Sequence, residues 1–385
     1  MPTNLPAEAQ IAWQKYLEAK TTEEKIRHLE TFISLVPKHK GTEKLLMQAK
    51  KTLTKLKLTL SRQKELKKGT GIHPAFSIPK EEDAQIVLLG LPGVGKTALF
   101  DYLTDNQIPY GKPTLLPNIG VFKYGGAVFQ IVDLPPIYSD NIDATPNGRS
   151  ILSLARNSDM IMLVIDISQD IYWQFRTLIS LLKNARIIVD RPAPPIRFTK
   201  LSRGGIQIYG ANNAPFDLVE LKELIASLGV QNCILEIYGN VDEEDIINAL
   251  DRRTVYKKAI IAAMKADMMS NEKNLGALRA IASTMKVVPV SLFSRLGKES
   301  IGETIIAELD LIRVWTKKDG KISDRALVLR RGSTVRDAAE KIHSDFIRRF
   351  KYAVVERQSA RVKKFKVGLN FKLEDNDILV IYTSE

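Results

Sequence analysis

Cysteine is almost absent from this chain of 385 residues, because Cys233 is the only one. An internal disulfide framework and a cysteine-based metal site are therefore excluded. The four histidines lie far apart and lack the spacing of a metal site. No apolar stretch reaches the roughly 18 residues of a membrane span, and the first residues lack the pattern of a signal peptide. We expect a cytoplasmic protein with no membrane partner, in which Cys233 lies in a buried strand.

Positive charge is in excess but unevenly distributed. The formal net charge is +13. Residues 1–68 carry 15 Lys and Arg against 7 Asp and Glu, and residues 313–385 carry 18 against 10, so the middle of the chain is slightly acidic. Two basic ends suggest contacts with a polyanion, either the ribosome or another structured RNA. An acidic protein partner fits the same charge, and a lysine-rich solvated surface is a third explanation.

One short segment matches the phosphate-binding pattern G-x-x-x-x-G-K-[ST]. An apolar run typical of a buried strand precedes it and a helical pattern follows it, which is the context that this motif requires. Its backbone N–H groups and its lysine would bind phosphates, and its threonine hydroxyl would bind Mg²⁺. The predicted phosphate-binding residues are Gly90, Leu91, Pro92, Gly93, Val94, Gly95, Lys96 and Thr97.

Later positions complete the predicted site. Asp133 ends an apolar run and is expected to bind Mg²⁺ together with Thr97. Thr114 lies between the phosphate loop and Asp133, where a switch threonine would close on Mg²⁺ and the γ-phosphate. Lys265 and Asp267 follow another apolar run, and a carboxylate there can accept two hydrogen bonds from guanine that adenine cannot donate. Ser291 is expected to support this base-binding loop. The predicted ligands are GTP or GDP with Mg²⁺.

Strand and helix patterns alternate along the centre of the chain, which predicts an α/β fold with a doubly wound, mostly parallel sheet. We divide the chain into a basic helical or coiled-coil hairpin at residues 1–68 and a nucleotide domain at residues 80–186 and 253–310. A small α/β subdomain is inserted at residues 187–252. Residues 313–385 predict a small β-rich domain with one packed helix.

Taken in order, these motifs resemble the developmentally regulated GTP-binding proteins, within the Obg-like superclass of P-loop GTPases. Beyond the phosphate loop, the resemblance rests on residues 117–121, 125–135, 329–335 and 375–379. It implies a P-loop GTPase domain and a C-terminal TGS domain with a β-grasp-like fold. It also implies slow GTP hydrolysis and an association with the ribosome or RNA, in translation or growth control.

Three positions depart from the family pattern, one of which is Leu292, after Ser291, where the family prefers a small residue. The predicted switch residues are Thr114, Asp133 and Pro136, and Pro136 stands where the family has a glycine whose N–H senses the γ-phosphate. Proline has no N–H to donate. Met264 stands where the family has an asparagine that supports the base pocket. We therefore expect weakened guanine affinity with selectivity retained.

The catalytic residue is not identified by the sequence. No glutamine follows Pro136 to orient the attacking water, and neither Asp140 nor Asp143 is favoured as a substitute. Two functions from different classes stay open: a slow GTPase, and a scaffold that holds nucleotide while it binds RNA or the ribosome with little turnover. An ATPase is a weaker alternative, because it would make Asp267 incidental.

Overall fold

The computed structural model describes residues 6–19, 22–37, 46, 49, 53, 74–105, 115–251, 253–267, 272–318, 321–357 and 364–384. The chain divides into two compact units, Met1–Ile72 and His73–Glu385. Among the described residues, no helix is both long and apolar enough to cross a membrane.

The first unit contains two helices that pack against each other, α1 (Ala7–Glu18) and α2 (Thr22–Leu35). The ring centroids of Trp13 and Phe32 lie 4.8 Å apart, and Leu29 is buried beside them. Most of residues 38–73, which include the second half of the predicted basic hairpin, lie outside the described residues.

Three strands of the second unit, at residues 84–90, 127–133 and 160–166, are buried along their whole length. Apolar residues fill them because helices cover both faces of a parallel sheet. The elements of this part are β1 (Ala84–Gly90), α3 (Lys96–Thr104), β2 (Asn118–Tyr124), β3 (Ala127–Asp133), α4 (Gly148–Asn157), β4 (Met160–Asp166) and α5 (Ile171–Asn184).

A small subdomain with its own core follows. Its elements are β6 (Ile196–Lys200), β7 (Ile206–Tyr209), α6 (Leu218–Ser227), β8 (Cys233–Ile237) and α7 (Glu243–Leu250). It is flanked by β5 (Ile187–Ile188) and β9 (Val255–Tyr256), of which Ile187 and Val255 pack in the core of the nucleotide domain. Strands β6, β8 and β7 form one sheet, and β5 pairs with β9 where the chain leaves and re-enters the nucleotide domain. Cys233 is fully buried in the subdomain core, as predicted.

The nucleotide domain then resumes with β10 (Lys258–Met264), α8 (Glu272–Ile281), β11 (Lys286–Val290) and α9 (Lys298–Glu308). The central sheet has the order β11–β10–β4–β1–β3–β2. Strand β2 pairs antiparallel with β3, and the other pairs are parallel. The carboxyl ends of β1, β3, β4, β10 and β11 therefore lie at one edge, where α/β proteins bind their ligands. The predicted α/β fold class is confirmed.

A second, smaller sheet forms the C-terminal domain. Its elements are β12 (Leu311–Lys318), β13 (Lys321–Ile322), β14 (Leu327–Arg330), α10 (Val335–Ile342), α11 (Asp345–Arg348), β15 (Phe350–Glu356), β16 (Lys364–Val367) and β17 (Ile378–Thr383). The strand order is β13–β12–β17–β15–β16, with β14 paired to β12. Helix α10 buries Val335 and Ala338 in the same core as Leu379.

The C-terminal sheet packs directly on the nucleotide domain. Leu311 and Val328 belong to the core of the nucleotide domain. The turn between β2 and β3 contains Gly126, whose carbonyl accepts a hydrogen bond from the Ala326 N–H at 3.0 Å. These contacts make β12 a shared element of the two domains.

Candidate functional site

The loop between β1 and α3 is shaped by its glycines. A methyl group at Gly90 would lie 2.8 Å from the carbonyl oxygen of Val164 in β4, so a side chain does not fit there. Gly93 and Gly95 have φ values of +76° and +89°, which glycine adopts without strain. The buried Val94 anchors the loop in the core. The loop runs directly into the N-terminus of α3. The free N–H groups and the helix dipole at that end favour an anion.

Three charged or polar side chains meet at the base of this loop. The Lys96 ammonium lies 3.0 Å from Asp133 Oδ1, and the Thr97 hydroxyl donates to Asp133 Oδ2 at 2.8 Å. Lys96 and Asp133 are both buried, at 6% and 0% exposure. Sequence reasoning missed Asn118, whose Nδ2 lies 3.5 Å from Asp133 Oδ2. It lies in the 117–121 segment that sequence reasoning used only as a family motif.

This donor set fits a phosphate ligand with Mg²⁺. Hydroxyl and carboxylate oxygens such as those of Thr97 and Asp133 are the ligands that Mg²⁺ prefers. A buried ammonium beside a helix N-terminus suits the phosphates. The structure therefore brings together Lys96 and Thr97 of the motif with Asp133 at the end of β3, whereas Thr114 lies outside the described residues.

The chain that follows Asp133 is tied to β1. The Leu134 N–H donates to Leu88 O at 3.4 Å, and the Ile137 N–H donates to Gly90 O at 3.0 Å. Pro136, between them, contributes no donor. The first N–H after the two prolines is thus engaged with the residue that begins the phosphate loop.

The two aspartates considered for water activation are occupied elsewhere. Asp140 Oδ2 lies 3.4 Å from the Ser180 hydroxyl of α5, and Asp143 pairs with Arg149 at 3.3 Å. Both hold the segment between β3 and α4 against neighbouring helices. Their contacts do not connect them to Lys96, and the geometry singles out neither as the catalytic residue.

Lys265 of the predicted base-binding loop forms an ion pair with the buried Asp166 that sequence reasoning missed. Lys265, at φ +65°, places its ammonium 2.6 Å from Asp166 Oδ2. Asp166 also accepts from the Ser168 N–H and hydroxyl, at 2.9 and 2.7 Å. Burial alone would raise the pKa of Asp166, but hydrogen bonds from Lys265 and Ser168 outweigh it and hold that pKa below its usual value. The only feature of the sequence that could have indicated this ion pair is that Asp166, like Asp133, ends an apolar strand.

Asp267 and Ser291 lie on neighbouring loops of the same sheet edge. The Ala266 N–H donates to Val290 O at 3.0 Å, which joins the two loops. Asp267 is exposed, whereas Ser291 is fully buried and its hydroxyl accepts from the Ser294 N–H at 3.1 Å. The carboxylate is thus available to a ligand, and Ser291 stabilises its own loop.

The Met264 side chain lies close to the phosphate loop. A methyl group at Gly95 would lie 3.4 Å from Met264 Cε, and Met264 is almost fully buried. An apolar side chain therefore lies between the strand that leads to the predicted base-binding loop and the predicted phosphate-binding loop.

Three family models match successive parts of the chain. The family described as 50S ribosome-binding GTPase matches residues 85–191, and the C-terminal region of MMR_HSR1 domain matches residues 203–311. The TGS domain matches residues 312–383. The matches cover the nucleotide domain, most of the inserted subdomain and the C-terminal sheet.

Curated relatives are similar over nearly the whole chain. An uncharacterised GTP-binding protein of Schizosaccharomyces pombe is 30% identical, with 94% of this chain and 99% of the relative aligned. Developmentally-regulated GTP-binding protein 1 of Xenopus laevis is 29% identical, with 93% and 98% aligned. An uncharacterised GTP-binding protein of Methanocaldococcus jannaschii is also 29% identical, with 93% and 92% aligned. The similarity suggested by the motifs thus extends through every domain.

Proposed function

The chain belongs to the family of developmentally regulated GTP-binding proteins, and from this premise we propose that it hydrolyses GTP slowly in association with the ribosome or another structured RNA. The observation that carries the enzymatic part is the buried contact of Lys96, Asp133 and Thr97 beneath a glycine loop. In this family such a loop serves a guanine nucleotide.

The same residues would hold Mg²⁺ with the nucleotide. Thr97 and Asp133 would supply oxygen ligands, directly or through water, and Lys96 would contact the phosphates. The metal ion, when bound, neutralises charge on the β- and γ-phosphates. Asp267 would select guanine, because its exposed carboxylate can accept two hydrogen bonds from the edge of that base.

The RNA part of the proposal is supported by charge. The C-terminal domain presents exposed lysines at Lys351, Lys366 and Lys372. The nucleotide domain matches a family described as ribosome-binding. Basic surface of this kind binds phosphate backbones without base specificity. An acidic protein partner is the alternative that the same charge allows.

A second function, a nucleotide-holding scaffold, is favoured by one specific observation. Pro136 lacks an N–H, and the Ile137 N–H is already bonded to Gly90 O. Without a donor at this point, GTP and GDP would be bound almost alike. A ligand with equal affinity for two states does not shift their populations.

Calorimetric titration with GDP, a non-hydrolysable GTP analogue and an ATP analogue, all with Mg²⁺, separates these functions. A slow GTPase should bind both guanine nucleotides with a clear preference between them and release phosphate from GTP in a single-turnover assay. Equal guanine affinities without phosphate release would support the scaffold. Binding of the ATP analogue would contradict the assignment of Asp267.

Pro136→Gly tests the switch directly, with Pro135→Gly as its matched control. The first variant restores a donor at the position where the family has one, so the affinity for the GTP analogue relative to GDP should rise several-fold. The control removes a neighbouring proline ring and should leave that ratio unchanged. Equal ratios in both variants would show that Pro136 does not limit γ-phosphate sensing.

A further inference from the structure

The most exposed large apolar side chain in the described part of the chain is Phe293, at 92%. Its exposure is fixed by a tight loop. The backbones of Ser291 and Leu296 exchange two hydrogen bonds, at 3.1 and 2.9 Å, and the Ser291 hydroxyl accepts from the Ser294 N–H. The ring is therefore held in solvent by ordered backbone, and solvent is an unfavourable environment for it.

This loop lies beside the predicted guanine-binding carboxylate. Strands β10 and β11 pair so that Met264 lies opposite Val290, and adjacent strands are about 4.8 Å apart. Asp267 follows Met264 by three residues, and Phe293 follows Val290 by three. The two residues therefore lie in adjacent loops at the same sheet edge, joined by the hydrogen bond from the Ala266 N–H to Val290 O at 3.0 Å.

The two flanks of Asp267 differ in chemistry. Strand β10 lies between β4 and β11 in the sheet. On the β4 side, the Lys265 ammonium is held by Asp166. On the β11 side stands Phe293. A flat base whose edge binds Asp267 would therefore have a tethered lysine on one flank and an unpaired aromatic ring on the other.

We propose that the Phe293 ring stacks on the guanine base whose edge binds Asp267. This inference rests on the proposed guanine nucleotide binding and adds the residue that provides base affinity. Stacking of a base on an aromatic side chain is worth about tenfold to a hundredfold in affinity. That contribution would offset the missing polar support at Met264.

The test is calorimetric titration of GDP into the full-length protein and three variants. Phe293→Ala should weaken GDP binding about tenfold or more, and Phe293→Leu should weaken it nearly as much, because a leucine is apolar but cannot stack. The control is Tyr238→Ala, which removes another exposed aromatic ring, from the inserted subdomain, and should leave GDP affinity unchanged.

Two further measurements separate stacking from a general loss of the site. Inorganic tripolyphosphate has no base, so its affinity should be the same for the wild-type protein and for Phe293→Ala. In Phe293→Trp, GDP should bind with wild-type affinity and should change the emission of the new tryptophan, whereas tripolyphosphate should not. Equal weakening of both ligands by Phe293→Ala would overturn the stacking role.

The inference and the proposed function fail in different ways. If the wild-type protein binds no guanine nucleotide, the proposed function fails and the stacking role fails with it. If the wild-type protein binds GDP and Phe293→Ala binds it equally well, only the stacking role is overturned.

Discussion

At the scale of single residues, Met264 and Pro136 each stand where the family has a hydrogen-bond donor and supply none: the Met264 side chain has no N–H, and Pro136 has no backbone N–H. The Met264 side chain reaches the phosphate loop at Gly95 and is almost completely buried. Thioethers fill irregular gaps well, so this contact supports the loop without orienting it. We therefore expect that methionine in place of the family asparagine lowers nucleotide affinity but keeps the phosphate loop well packed.

We expect Met264→Asn to raise GDP affinity several-fold and to lower the free energy of unfolding by about 1–3 kcal/mol. The amide can bond to the phosphate loop, but it lies in a buried space that now holds a methyl group. Calorimetry and urea denaturation measure the two effects. Met264→Leu is the control and should change GDP affinity little. Unchanged affinity in Met264→Asn would show that the missing amide does not limit binding.

Lys265 and Asp166 give a prediction about pH. Because hydrogen bonds from Lys265 and Ser168 lower the pKa of folded Asp166 despite its burial, their stabilisation is present above the pKa of the unfolded chain. It is lost as pH falls through the lower pKa of the folded protein. Lys265→Met should cost about 1 kcal/mol at pH 7, a modest value because water reaches half of the lysine side chain.

Urea denaturation of the nucleotide-free protein at several pH values checks this dependence. The difference between wild-type protein and Lys265→Met should shrink as pH falls through the lowered pKa of folded Asp166 and its carboxylate becomes protonated. The control is Lys298→Met, which breaks a pair with the exposed Asp105 and should show little effect at any pH. A difference that persists undiminished in acid would assign the effect to packing of the lysine stem.

At the scale of elements, the turn before β17 depends on a buried carboxylate. Asp377 is fully buried and accepts from Arg357 Nε and Nη2 at 2.8 and 2.7 Å and from the Glu374 N–H at 2.8 Å. We expect Asp377→Asn to destabilise the protein by about 3–5 kcal/mol, since it leaves the guanidinium without its buried partner. Urea denaturation measures this loss.

The neighbouring pair provides the control for that variant. Arg357 Nη1 also contacts Glu374 at 2.6 Å, but Glu374 is mostly exposed. Exposed ion pairs contribute about 0–1 kcal/mol, so Glu374→Gln should be nearly neutral. Similar losses in both variants would contradict the importance of the buried carboxylate.

The strands were predictable from the sequence, whereas the contacts between their ends were not. Apolar runs indicate β1, β3 and β4 because a sheet covered on both faces requires them. The spacing from Gly90 to Thr97 similarly specifies the phosphate loop. The pair of Asp166 and Lys265 joins residues 99 positions apart and depends on the register of β4 and β10, which composition and periodicity do not encode.

At the scale of the whole molecule, Gly126 allows the nucleotide domain and the C-terminal sheet to pack closely, because it has no side chain. It has φ +83°, and a methyl group there would lie 2.5 Å from Trp315 Cη2. Gly126→Ala should therefore combine a backbone cost of about 1–2 kcal/mol with an overpacking cost of about 1–3 kcal/mol. Urea denaturation of the full chain gives the sum.

Gly332→Ala isolates the backbone cost. Gly332 has φ +89° and no atom within 4 Å of an added methyl group. Gly332→Ala should therefore lower the free energy of unfolding only by the backbone cost, without the overpacking cost. Equal destabilisation by the two variants would mean that Trp315 moves aside freely and that the two domains are not tightly packed at this turn.

The basic C-terminal domain gives a prediction about salt, because each phosphate contact on RNA releases counterions. The logarithm of the affinity then falls with the logarithm of salt concentration by about 0.7–0.9 per contact. Neutralising three exposed lysines should weaken binding to purified ribosomal RNA and reduce this slope by as much as about 2–3. The residues changed to Gln are Lys351, Lys366 and Lys372.

The matched control carries the same loss of charge on the inserted subdomain. It changes three exposed cations to Gln: Lys200, Arg203 and Lys222. If the C-terminal sheet is the RNA-binding surface, the control should keep the wild-type slope. Equal slopes in both variants would mean that only net charge matters. An unchanged slope in the first variant would remove these lysines from the RNA-binding surface and favour an acidic protein as their partner.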